Sequence, residues 1–142
     1  MKAFVMLRVV SAITLLYFAG HMLGIPWTPA VGAQESAFLE PMKSNRFYVE
    51  GFSRTYWDFY FGFGCAIGGF LLLQAVVLWQ VASLAKRAQH DVRPIVAAFF
   101  TSFLVNAILV WRYFFTAPLV LAITIAVCLG ITLAVLRSEP SS

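Results

Sequence analysis

Four long apolar runs, at residues 3–24, 56–83, 95–111 and 117–136, decide what this chain can fold into. Each approaches the roughly 20 residues that a helix needs to cross a hydrocarbon core at about 1.5 Å per residue. A composition that is 61% hydrophobic and only 11% charged excludes an ordinary soluble domain of 142 residues, whose surface would need far more charge. The expected fold is an all-α membrane protein. It is an antiparallel four-transmembrane-helix bundle, one domain over residues 1–142, with a long external loop at 25–55 between the first two helices.

The net charge of +4 does not point to nucleic acid, because the basic residues sit at the ends of the apolar runs, where lipid headgroups would meet them. Lys2, Arg8, Lys86, Arg87, Arg93 and Arg137 fall on one side of alternating helices, and Lys43, Arg46, Arg54 and Arg112 on the other. The excess of Lys and Arg on the first side places both termini in the cytoplasm. The first run also has the layout of a secretory signal, with Val31-Gly32-Ala33 as a cleavable tripeptide, but it is long for the apolar region of one. It is therefore read as a retained span. Cys65 and Cys128 both lie inside apolar runs and lack a CxxC partner, which favours buried thiols over a redox pair.

The 25–55 connection exceeds a plain helix link. Thr28-Pro29 predicts a helix start, with a short surface helix through 34–40 and Pro41 ending or bending it. Phe47, Tyr48, Phe52, Tyr56 and Trp57 then approach the membrane interface, where aromatic rings prefer to sit. Two strips of small residues predict close helix contacts: Ala122, Ala126, Gly130 and Ala134 in the fourth run, and Gly64 with Gly68 in the second.

The candidate site is a polar and aromatic cluster near the external ends of the helices. His21 ends the first run, Arg54 and Asp58 open the second, and Asn106 and Arg112 lie toward the end of the third. His21 carries most interest, since an imidazole inside a span is uncommon and can exchange protons near neutral pH. In a catalytic reading Asp58 gives or takes a proton, His21 partners it and Arg54 tunes or anchors. Trp57, Tyr60, Asn106 and Arg112 would line the ligand. Each has a plainer reading. Arg54 and Asp58 at i,i+4 form an interfacial ion pair, Arg112 and Arg8 snorkel to headgroups, Asn106 is interhelical glue, and His21 makes a structural hydrogen bond. The ligands for a metal site are too sparse, no nucleotide or Ser-His-Asp motif appears, and no cofactor is implied.

Gly20-His21 followed by Arg54-Thr55-Tyr56-Trp57-Asp58-Phe59-Tyr60-Phe61-Gly62-Phe63-Gly64 resembles an uncharacterised family of small bacterial four-helix integral membrane proteins. The likeness covers the first two runs, with a more distant DoxX-like resemblance in size and layout. It implies a four-helix bundle in a bacterial inner membrane and no particular activity.

Two functions follow from the residues. The first is a site for a lipophilic molecule in the outer leaflet, with acid/base chemistry on an isoprenoid-, sterol- or quinone-like substrate. The second is a non-catalytic accessory subunit of a larger membrane complex, or a homo-oligomer, held through the small-residue strip of the fourth run. A transporter ranks below both, because four spans show no matched pair of broken helices.

Overall fold

The computed structural model describes residues 2–24 and 28–138. Over them run α1 (Ala3–Gly24), α2 (Gly32–Ser44), β1 (Arg46–Val49), β2 (Phe52–Thr55), α3 (Tyr56–Leu84), α4 (Gln89–Tyr113) and α5 (Thr116–Ser138). The chain is predominantly helical, and α1, α3, α4 and α5 are long and apolar enough to cross a membrane. The apolar runs thus mark these helices closely. The exception is α4, which begins at Gln89 rather than near Ile95. A hydropathy run measures the thickness of the apolar medium, and a helix can continue into the headgroup layer beyond it. Pro94 sits in the second turn of α4. There it leaves the His90 carbonyl without its intrahelical donor.

The chain divides into two compact units. The larger comprises Met1–Phe18 and Leu71–Ser142, and the smaller is Ala19–Phe70.

In the larger unit, parts of α1 and α3 share one apolar core with α4 and α5, built around Leu7, Val10, Leu78, Val96, Phe103, Ile125 and Leu129. The Ser11 hydroxyl donates to the Ala75 carbonyl at 2.7 Å, a buried cross-link between α1 and α3. Arg8 is held by α3. Its Nη2 donates to Ser83 Oγ at 2.8 Å, and its guanidinium lies 3.5 Å from the Trp79 ring centroid. Ring face and hydroxyl together satisfy a cation that would otherwise reach for water. Helices α4 and α5 are joined through Phe114-Phe115 and pack along their length. Ala122 and Ala126 are buried, and a Cβ added at Gly130 would sit 3.2 Å from the Phe100 ring.

In the smaller unit, α2 starts at Gly32, later than Thr28-Pro29 predicts. Gly32 has φ +87°, and the Glu35 carboxylate accepts from the Val31 N–H at 2.6 Å. Backbone freedom and an acidic acceptor in the first turn therefore set the start. Pro41 lies inside α2 without ending it, and the chain leaves three residues later at Ser44. A β-hairpin follows where the sequence suggested only an aromatic connection. Arg46 pairs with Thr55, Phe47 with Arg54, Tyr48 with Ser53 and Val49 with Phe52. The two-residue turn has positive φ at Glu50 (50°) and Gly51 (84°), the primed geometry whose twist matches paired strands.

Candidate functional site

Strand β2 feeds straight into α3, so the last strand residue is also the cap of the helix. Thr55 is buried, and its Oγ1 accepts from the Asp58 N–H at 3.1 Å. In return, Asp58 Oδ2 accepts from the Thr55 N–H at 2.8 Å. This is a reciprocal capping box, with aspartate in place of the usual glutamate, satisfying two donors that a helix start leaves unpaired. The Thr-x-x-Asp spacing carried that signal, but the sequence reading passed over Thr55.

Arg54 does not form an ion pair with Asp58. Its Nη1 donates to the Ser53 carbonyl at 2.9 Å, and its guanidinium lies 5.2 Å from the Phe52 ring centroid. Hairpin pairing explains this, since it sets Arg54 opposite Phe47 and beside the ring of Phe52.

His21 Nε2 lies 2.7 Å from the Gly64 carbonyl oxygen. A carbonyl only accepts, so the imidazole carries a proton on Nε2 in this contact. Gly64 stands six residues beyond Asp58, about 9 Å along the helix axis. The imidazole and the carboxylate thus have different hydrogen-bond partners and do not bond each other. Four residues further, a Cβ at Gly68 would collide with the Met22 sulfur. The Gly64–Gly68 pair therefore serves the close approach of α1 and α3.

The aromatic residues form two groups. Tyr56, Phe59 and Phe63 follow one face of α3, and Phe47 of the hairpin stacks beside them. Phe47 lies 5.0 Å from Tyr56 and 5.6 Å from Phe59, and Phe59 lies 6.1 Å from Phe63, centroid to centroid. On the adjoining face Trp57 and Tyr60 are 5.5 Å apart, with Lys43 Nζ of α2 over the Trp57 ring at 5.0 Å. Tyr56, Tyr60 and Phe63 remain exposed, and Trp57 is half-buried. Phe47, Phe59 and Lys43 were not singled out as site residues. Only the hairpin brings Phe47 to α3.

Asn106 and Arg112 belong to the larger unit. Asn106 is half-buried, and its side chain meets the Tyr17 hydroxyl. Arg112 is exposed, with its guanidinium 5.3 Å from the Tyr113 ring centroid. Cys65 and Cys128 are both free thiols. Among the described residues, no group of three or more His, Cys, Asp or Glu side chains gathers to hold a metal. No protein-family model, curated protein or solved structure matches the chain.

Proposed function

We propose that this chain is a multi-pass protein of a bacterial inner membrane, an antiparallel four-helix bundle with both termini in the cytoplasm. Its external end binds a lipophilic molecule of isoprenoid, sterol or quinone type without converting it. Four helices of spanning length and an apolar surface that includes Leu16, Phe70, Leu73, Ile108 and Val127 support the membrane reading.

The capping box at Thr55 and Asp58 carries the choice of binding over catalysis. Asp58, the carboxylate at the start of α3, already accepts from backbone, and His21 donates to a carbonyl. Proton transfer by Asp58 would compete with its own helix cap. The exposed rings of Tyr56, Phe59, Tyr60 and Phe63, with half-buried Trp57, remain able to contact a ligand. The small-residue strip gives the accessory-subunit reading less support, because Ala122, Ala126 and Gly130 pack inside the chain and Ala134 alone of the four is exposed.

The test is purification in mild detergent, followed by solvent extraction and mass spectrometry of the extract. A lipophilic compound should accompany the wild-type protein and be lost from a Trp57→Ala, Tyr60→Ala variant of equal abundance. A stoichiometric unrelated protein in place of that compound would sustain the subunit reading instead. Maleimide labelling of single cysteines at Ser44→Cys and Ala88→Cys, in a background lacking Cys65 and Cys128, checks the orientation. Only the first should react from outside the cell.

A further inference from the structure

A cleft of about 370 Å³ lies between the first turns of α4 and the last turns of α5. His90, Arg93, Pro94, Ala97, Leu133 and Arg137 line it. The volume is within the range of small-ligand sites, roughly 300–1,000 Å³. Its walls divide by chemistry. Arg93 and Arg137 supply two guanidinium groups, while Pro94, Ala97 and Leu133 form an apolar side. Arg93 is half-buried, and among the described residues neither arginine has a hydrogen-bond or ion-pair partner. The acidic neighbour, Asp91, lies 3.9 Å from His90 Nδ1, with both side chains largely exposed. Among the described residues, then, neither arginine charge is paired beside this hydrocarbon.

We propose that this cleft binds a phosphate ester, with Arg93 and Arg137 holding its oxygens and Pro94, Ala97 and Leu133 taking the adjoining hydrocarbon. Guanidinium groups suit the site, because their planar donors match phosphate oxygens two at a time. The apolar side would have no use for a bare ion. Two sources carry this chemistry, the headgroup of an anionic lipid and a soluble phosphate ester. The position favours the lipid, since the basic end of Arg93 adjoins the apolar run that begins at Ile95, and basic pockets between spans on the cytoplasmic side commonly take anionic headgroups. The inference rests on the membrane reading above, but not on any ligand at the aromatic end.

Native mass spectrometry of the detergent-solubilised protein, titrated with phosphatidylglycerol, phosphatidylcholine or glycerol 3-phosphate, tests it. Phosphatidylglycerol should be retained over phosphatidylcholine. An Arg93→Gln, Arg137→Gln variant should lose that preference by about tenfold or more. A Lys2→Gln, Arg87→Gln variant removes the same charge outside the cleft and should keep it. Displacement of the lipid by millimolar glycerol 3-phosphate would identify a soluble ester as the ligand, and resistance would identify the headgroup. Equal retention of both lipids, or equal loss in both variants, overturns the proposal. The single-cysteine labelling of intact cells described above distinguishes that failure from a wrong orientation.

Discussion

Thr55 and Asp58 satisfy each other's backbone through their side chains, at 2.8 and 3.1 Å, at the one point where strand becomes helix with no residue between. The cap couples the register of the hairpin to the start of α3. A one-residue slip would break both together.

Thr55→Ala should therefore lower stability by about 0.5–2 kcal/mol, because it removes a buried cap. Asp58→Asn keeps an oxygen able to accept from the Thr55 N–H and should be milder than Asp58→Ala. In thermal melts in detergent, Thr55→Ala and Asp58→Ala should be non-additive, as expected of partners in one interaction. Additive losses would show that the two act separately.

His21→Ala should destabilise the protein by about 1 kcal/mol, the size of a side-chain hydrogen bond between helices in a membrane. His21→Gln retains a donor and should recover part of that loss. Retention of the co-purifying lipophilic compound by both variants separates a structural imidazole from one that contacts ligand. Its loss from His21→Gln at equal stability would assign His21 to the binding surface.

Gly130→Leu should cost about 1–3 kcal/mol through overpacking against Phe100. Gly69→Leu, where a side chain meets open space, should be near neutral. Melting temperatures of the two variants in the same detergent decide this, and equal shifts would contradict the α4–α5 contact.

Gly51→Val places a branched side chain at φ 84° and should weaken the hairpin by at least about 1 kcal/mol. Hydrogen exchange read by mass spectrometry should rise over 46–55 while α5 keeps its protection.

The long helices were legible because burial in hydrocarbon is a local demand on each segment, written in every residue of 3–24 or 117–136. The capping box was equally local and could have been read from Thr55-Tyr56-Trp57-Asp58. So could the hairpin, since Glu50-Gly51 is a two-residue turn between runs of aromatic and branched residues. Both were obscured because a polar connection between apolar runs reads first as a loop. For the candidate site, sequence named candidate residues. It did not choose their partners.

The sequence by itself thus determined the helices, their approximate ends and the small residues where they approach. The tertiary structure decided that His21 takes a carbonyl rather than a carboxylate, that Phe47 joins the rings of α3, and that Arg93 and Arg137 share a cleft. The physical reason is reach. Hydropathy and capping act within a few residues, whereas a hydrogen bond or a cleft depends on distances between segments tens of residues apart.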